Sequence, residues 1–433
     1  MALDQVTCGH PLHLQKMLQL LALLLLAPCV LQAAGTNGGV KVRVTQKGLE
    51  YGKEVGLERL KQMLKKGKIQ DVSGSYNVPI LGSVDYSITG IRVDELQVSN
   101  STAAFSEGTG LSLAIGSAQV VLSGSWKVAS VLGSDRGLLN ISVRGLSVST
   151  LLGVDRDGRG RPSVWCAQCD SGIEDFSLTF YGRTSWLYNT LASALRGTLK
   201  SEANRQICSE IRKGTDKLAW DLQTMDVLAQ MDPFVGIDYS LVSKPLFGTD
   251  GCKVELKGEV FAMESSRRHP FLPAPFALPD QFDSMLVVGL TESVASSAAA
   301  AYFSAGALRV NFTDSMLKKR FPNMPMEVRV AARKQPLLSI HPEGVRAQVF
   351  GSAEASVILP NGSLASALLL DIDSNLTAQL FLEPVKSRNS IGKVSGSLVL
   401  EDFHLSQVWS SVGDIKGTFL DKILKMAVHL ASA

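Results

Sequence analysis

Cys166 and Cys169 stand as Cys-x-x-Cys inside VWCAQCDSG, residues 164–172. That spacing serves three chemistries: thiol redox exchange, half of a zinc site, and an ordinary disulfide. A zinc site wants two close pairs, and Cys208 and Cys252 stand far apart. A thioredoxin-like site wants the motif opening a helix after a strand. Here Asp170-Ser171-Gly172 follows and reads as a turn. The remaining choice, free thiols or disulfides, depends on the compartment.

Leu18 to Val30 is an unbroken apolar run, preceded by Lys16 and followed by Ala33, Ala34 and Gly35. A basic start, an apolar stretch too short for a bilayer and a small-residue exit predict a signal peptide over residues 1–34. The expected product is a secreted, extracellular protein. Asn-x-Ser/Thr sequons at Asn100, Asn140, Asn311, Asn361 and Asn375 agree with that route and are the expected glycosylation sites. Removing the leader takes Cys8 and Cys29 with it, so the cysteines left read first as disulfide partners.

Other catalytic constellations are missing from the sequence. It has no Gly-x-Ser-x-Gly elbow, no His-Glu-x-x-His and no P-loop. Beyond the leader, His269, His341, His404 and His429 are scattered. DRDGRGR (155–161) lacks the ligand spacing of a calcium loop and reads as a solvated turn. No catalytic residue, metal or cofactor is expected, and the chain is read as a non-enzyme. A net charge of +3 gives no whole-protein field for nucleic acid. Only 19% of the residues are charged and 45% are hydrophobic, an apolar balance that points to extra apolar surface held against a ligand. The basic charge is local: residues 41–68 carry Lys41, Arg43, Lys61, Lys65, Lys66 and Lys68 among others. Such a run is either the solvated face of a helix or a patch for anionic headgroups.

These residues need elements to hold them. Residues 48–66 place Leu49, Gly52, Gly56, Leu60 and Met63 at helical spacing, with the glycines expected to let another backbone approach. Residues 69–181 alternate instead, as at Val84, Tyr86 and Ile88, and predict long antiparallel strands with one buried face. Residues 184–230 return to helix, with Thr184 or Ser185 as its N-cap. The proline-rich HPFLPAPFALPD (269–280) reads as a stiff extended connector. The domains expected are 35–265, a linker at 266–282, and 283–433. In the second, 283–305 reads as helix, alternating strands follow, and 405–431 reads as a closing helix. The order helix, strands, helix thus occurs twice.

Several stretches together resemble the family of bactericidal/permeability-increasing protein and lipopolysaccharide-binding protein. They are KVRVTQKGLEYGKEVGLERLKQMLKKGKIQDVSGS (41–75), WCAQC with Cys208 following, VELKGEVF (254–261), KKRFPNMPMEV (318–328) and VILPNGSLASALLLDI (357–372). The resemblance implies an α+β fold, an elongated boomerang of two twisted antiparallel β-barrels. Each barrel has helices and an apolar pocket for a phospholipid, and a central sheet joins the two. It also implies a disulfide between Cys169 and Cys208, leaving Cys252 free or paired with Cys166. The implied role is a secreted lipid-binding protein of innate immunity, antibacterial and monomeric. Its partners would be lipopolysaccharide, phospholipid and the bacterial outer membrane surface. A phospholipid-transfer protein without endotoxin recognition is the alternative.

Two departures from the family pattern stand out. Its endotoxin contacts lie in lysine-rich hairpins at the tip of the first barrel. Here VPILGSVDYSI (78–88) has no lysine, and SWKVASVLGSDRG (125–137) has only Lys127 and Arg136. The second half also lacks a stretch between Asp314 and Lys318 and the family's final strands, so its barrel is expected to be incomplete.

Overall fold

The computed structural model describes residues 37–66, 71–78, 82–130, 133–183, 185–264, 271–281, 283–313, 325–383, 393–411 and 413. The alternating stretches of the first half become strands β2 (Val72–Val78), β3 (Gly82–Ser106), β4 (Gly110–Ser130), β5 (Gly133–Arg156), β6 (Pro162–Gly172) and β7 (Asp175–Tyr181). Strands β3 and β5 run for 25 and 24 residues, several times the usual length of about 5–6. They form one antiparallel sheet in the order β2-β3-β4-β5-β6, with β7 also on β5. The β3–β4 register shifts between Thr89 and Arg92, Val93 and Glu95, and Val98 and Asn100. Each bulge bends and twists its strand, so a sheet this long curls.

Two helices line this sheet. Helix α1 (Gln46–Lys66) lies on β3, where Gln46 Nε2 donates to the Ala103 carbonyl at 2.9 Å and Lys53 Nζ to that of Ser101 at 3.3 Å. Its half-buried side is Leu49, Lys53, Leu57 and Lys61. The expected role of its glycines is overturned, because a Cβ at Gly52 or Gly56 would meet nothing within 4 Å. The close approach is at Gly48, where a Cβ would lie 2.3 Å from the Met285 carbonyl oxygen. Helix α2 (Ser185–Gln223) packs on β6 and β7 and stops earlier than expected, since residues 228–230 are strand β8 (Leu228–Gln230). Thr184 lies outside the described residues.

A central region joins the halves. Strand β1 (Val40–Val44) pairs with β11 (Gly251–Leu256) on one side and β13 (Leu286–Leu290) on the other, and β10 (Leu246–Gly248) extends the sheet. Residues 271–281 cross it without regular structure. Asn37 Nδ2 donates to the Pro273 carbonyl, Arg43 to that of Pro279, and Lys41 sits over the Phe276 ring at 5.1 Å. Beside them, β8, β9 (Val235–Asp238) and β12 (Glu259–Ala262) form a small sheet.

The second half differs from expectation at both ends. Residues 286–290 are strand rather than helix, because Leu286, Val288 and Leu290 alternate and β1 offers an edge. The helix, α3 (Glu292–Ser304), starts only after Thr291, whose N–H and hydroxyl both donate to the Gly39 carbonyl. Ala299, Ala300 and Ala301 are buried, and Ala301 meets Val235, Val260 and Ala262. Beyond it run β14 (Arg309–Phe312), β15 (Met326–Ala332), β16 (Leu337–His341), β17 (Gly344–Ile358), β18 (Leu364–Glu383) and β19 (Lys393–Ser410). They make a second antiparallel sheet around Ala353, Leu368 and Leu370. The expected closing helix is strand as far as Ser410, because Leu405 pairs with Ile372 and packs on that cluster. Its remainder from 414, the leader at 1–34 and the junction at 314–318 lie outside the described residues. The architecture is α+β, with a curled antiparallel sheet in each half.

Candidate functional site

Strand alternation decides what the curled sheets enclose. On the inner face of the first, Val143, Ile173 and Phe176 are buried, while Val120, Ile141, Leu146 and Leu178 pack against them only part-buried. From α2, Ala203 and Ile207 close over this cluster and are also part-buried. Leu111, Leu113 and Ile115 stay half-buried further along β4. In the second half, Val330, Ala355, Ile372 and Leu405 surround their cluster in the same way. The enclosed surfaces are apolar, and many of their side chains keep accessible area that an acyl chain could cover.

A disulfide fixes α2 against this sheet. Cys169 on β6 bonds Cys208 on α2, with Cα atoms 5.7 Å apart, as the resemblance implied. Beside it, Ser171 Oγ donates to the Asn204 carbonyl at 3.0 Å. Residues three apart on a regular strand face opposite ways. Here the β5–β6 register shifts between Leu151 and Leu152, pairing them with Gln168 and Cys166 and leaving Ala167 over. The shift turns the Cys166 thiol to 3.6 Å from Oγ1 of Thr150, the residue opposite Cys169. Cys166 and Cys252 are both free, so the alternative pairing between them is not formed. Cys252 is buried, which pushes its thiol up to about 11.

The basic candidates scatter. Arg43 is 3% exposed within the central sheet, with its guanidinium near Asp250 and Asp280. Lys41 pairs with Glu255 at 2.9 Å on the same sheet. These two hold the linker rather than face solvent, which corrects their reading as headgroup ligands. Lys61 pairs with Glu58 on α1, and Lys65 is exposed. Lys66 ends the helix, and Lys68 lies outside the described residues. Lys127 and Arg136 do come together, because they are directly opposite on β4 and β5 and both are exposed. The sequon residues Asn100, Asn140, Asn311, Asn361 and Asn375 are all exposed.

The DRDGRGR turn joins β5 to β6. The Asp157 carboxylate accepts the N–H groups of Arg159 and Arg161 at 2.8 Å each, and the Arg161 guanidinium caps the Gln223 carbonyl at the end of α2. Next to it lies a cleft of about 340 Å³, lined by Arg159, Arg161, Asp226, Val227, Leu228, Asp238 and Ser240. Behind the cleft, Lys257 reaches Asp238 at 3.1 Å and the buried Glu259 at 2.6 Å. Burial pushes the Asp238 carboxyl up, but hydrogen bonds from Ser240 and Lys257 outweigh it and hold the group below its ordinary range. Burial likewise pulls Lys257 down, and its bonds to Glu259 and Asp238 more than restore it. A depressed carboxyl contributes stability above its unfolded value of about 4, lost as pH falls through the folded one. A raised ammonium contributes below about 10.5, lost as pH rises. The cluster therefore stabilises the fold between about pH 4 and 10.5. Lys257→Met is expected to cost about 2 kcal/mol at pH 7, discounted because the lysine is one-third exposed. The deficit should hold between about pH 4 and 10.5 and shrink as pH falls below about 4 in urea titrations, and a deficit unchanged below about pH 4 would refute the electrostatic account.

Among the described residues, no group of three or more His, Cys, Asp or Glu could hold a metal ion, and no helix is long and apolar enough to cross a membrane. The model of the LBP / BPI / CETP family, N-terminal domain, matches residues 48–225, and the C-terminal domain model matches 229–320 and 316–431. The chain belongs to the LBP / BPI / CETP family. The two C-terminal matches overlap at 316–320.

Curated members of the LBP / BPI / CETP family match along most of the chain. It is 30% identical to the bactericidal permeability-increasing protein of Sebastes schlegelii, covering 95% of this chain and 89% of that one. It is 27% identical to the lipopolysaccharide-binding protein of Homo sapiens, covering 95% and 88%. A crystal structure of lipopolysaccharide binding protein superposes with a TM-score of 0.55 at 26% identity, over 90% of this chain and 88% of that chain. The fold and a lipid-binding family are thereby shown.

Sequence reasoning missed the aromatic plug at the end of the first sheet. Trp126 is 2% exposed and meets Phe180 edge-on, with ring centroids 5.5 Å apart. Its indole N–H donates to the Tyr181 carbonyl at 3.3 Å. The available signal was parity, since Trp126 falls one residue out of step with the polar Ser125 and Lys127.

Proposed function

We propose that this chain is a secreted lipid-binding protein of innate defence, monomeric, that takes bacterial lipopolysaccharide and phospholipid through their acyl chains. The observation that carries the reading is the incompletely covered apolar inner face of each curled sheet. Each CH₂ brought from water onto such a surface is worth about 0.8 kcal/mol, so a single acyl chain supplies substantial affinity. The relatives named for bactericidal permeability increase and for lipopolysaccharide binding support the choice of lipid. The exposed cations Lys127 and Arg136 would meet lipid phosphates at the outer membrane surface. The leader expected at 1–34 supports secretion, and no catalytic step is assigned.

A second reading has its own observation. Lys127 and Arg136 are the only basic residues in the hairpin stretches 78–88 and 125–137, a thin cationic tip that favours phospholipid transfer without endotoxin recognition. Lipid extraction and mass spectrometry of the purified secreted protein, followed by titration with lipid A, separate the two. Saturable lipid A binding at low salt is the expected result. Co-purifying phospholipid, vesicle-to-vesicle transfer and indifference to lipid A would decide for the second reading. A protein carrying no lipid and taking up none would sink both.

A further inference from the structure

The cleft between the DRDGRGR turn and strands β8 and β9 brings opposite charges together without pairing them all. Of its two carboxylates, Asp238 is engaged: it accepts the Ser240 hydroxyl at 2.7 Å and pairs with Lys257 at 3.1 Å. Asp226 is exposed, and its carboxylate has no hydrogen bond or ion pair among the described residues. On the cationic side, the Arg161 guanidinium donates to the Gln223 carbonyl, and its Nε is buried without an acceptor. Arg159 is exposed, and its guanidinium has no partner among the described residues. The Asp157 carboxylate on the same turn accepts backbone N–H groups instead.

The walls are fixed. The Gly160 carbonyl accepts the Leu241 N–H at 2.7 Å, and the Arg156 guanidinium donates to the Leu241 carbonyl at 2.9 Å. A Cβ at Gly160, whose φ is +75°, would fall 2.7 Å from the Ser240 Cβ. The segment carrying Asp226 is tied to the same place. Tyr239 donates its N–H to the Val227 carbonyl at 2.9 Å and its hydroxyl to the Asp226 carbonyl. Both sets of lining residues thus hang on residues 239–241, and little ordering is left for a ligand to impose.

A plain anion in this cleft would face Asp226 and Asp238, and a plain cation would face Arg159 and Arg161. A ligand carrying both signs escapes both repulsions. Guanidinium donors match the oxygens of a phosphate, and a free carboxylate matches an ammonium. Quaternary ammonium groups are held by aromatic cages, and none of the described lining residues is aromatic, so the matching cation is a primary ammonium. The volume of about 340 Å³ lies at the small end of ligand pockets, about 300–1,000 Å³, and suits a headgroup-sized molecule. We infer that the cleft binds a zwitterionic phosphodiester with a primary ammonium, of the glycerophosphoethanolamine class. Arg159 and Arg161 take the phosphate and Asp226 takes the ammonium. The inference goes beyond the lipid-carrier reading and does not rest on it, because the group recognised contains no acyl chain.

The test is isothermal titration calorimetry of the full secreted protein with glycerophosphoethanolamine, with glycerophosphocholine and inorganic phosphate as comparisons. Saturable binding of the ethanolamine compound, tighter than of either comparison, is expected. Arg159→Gln should weaken it about ten- to a hundredfold, the effect of losing a charge-assisted hydrogen bond. Asp226→Asn should bring it down to the level of glycerophosphocholine without weakening inorganic phosphate. Both side chains are exposed and unbonded, so urea midpoints should match wild type in both variants. Equal affinity for the ethanolamine and choline compounds, or wild-type affinity in both variants, would overturn the inference. Flotation with phosphatidylcholine vesicles containing phosphatidylethanolamine identifies the source. Vesicle binding competed by the soluble compound means a lipid headgroup, binding of the soluble compound alone means a free ester, and either result supports the cleft. Carried lipid is quantified in the same samples. Normal carriage with no glycerophosphoethanolamine binding defeats this site alone, and binding with no carriage defeats the lipid-carrier reading alone.

Discussion

Cys169→Ala is expected to lower the stability of the first half by about 4 kcal/mol. The bond closes a loop of 39 residues, and the chain-entropy relation gives about 4 kcal/mol for opening one of that size. Around Cys208, α2 is held by the Ser171–Asn204 hydrogen bond and by Ala203 and Ile207 on the inner cluster. Cys166→Ala removes a 3.6 Å contact to Thr150 and no cross-link, and should cost well under about 1 kcal/mol. Urea denaturation of the two variants reads the difference directly. Alkylation of the native protein gives an independent check. Half-buried Cys166 should label first, while Cys252, buried and with its thiol pushed up to about 11, should label only on unfolding. Equal losses in both variants, or a non-reducing peptide map that joins Cys166 to Cys169, would contradict the assignment.

What could be read in advance follows from how local each cause is. The strands of 69–181 were legible because one face of each is buried, so alternation is written into the chain, as at Leu139, Ile141 and Val143. The strand at 286–290 was not. Leu286, Val288 and Leu290 run without a break signal into the Ala-rich helix, and only β1, some 240 residues away in sequence, makes them a strand. Arg43 shows the same limit. VKVRV sets Lys41 and Arg43 on one side of β1, but nothing local says that Pro279 and Phe276 will cover that side instead of water. On α1, Gly52 and Gly56 share the stripe of Leu49, but the helix is rotated so that Lys53 and Lys61 are half-buried with Leu49, and Lys53 reaches the Ser101 carbonyl of β3. The bulge at Ala167 is equally silent in the sequence, although it decides which way Cys166 points. The candidate site was legible as a pair, Lys127 and Arg136. The exposed pair beside it, Leu138 and Tyr181, was not, because their strands pair across more than forty residues.

Trp126→Ala should be the most damaging single change at the tip, at about 3–5 kcal/mol. The indole is 2% exposed, so truncation leaves a cavity where Phe180 meets it at an interplanar angle of 86°. It also removes the donor to the Tyr181 carbonyl, and that oxygen lies at a glycine-tight approach of β5 and β7 where little can move in to replace it. Trp126→Phe keeps much of the ring volume and loses the hydrogen bond, so it should cost only about 1 kcal/mol from that bond plus a modest packing loss. Hydrogen exchange then locates the damage. Amides of 177–181 should exchange faster in Trp126→Ala, while those of β18, in the other sheet, should not change. A cost below about 1 kcal/mol for Trp126→Ala would mean that the plug is packed by something other than the indole.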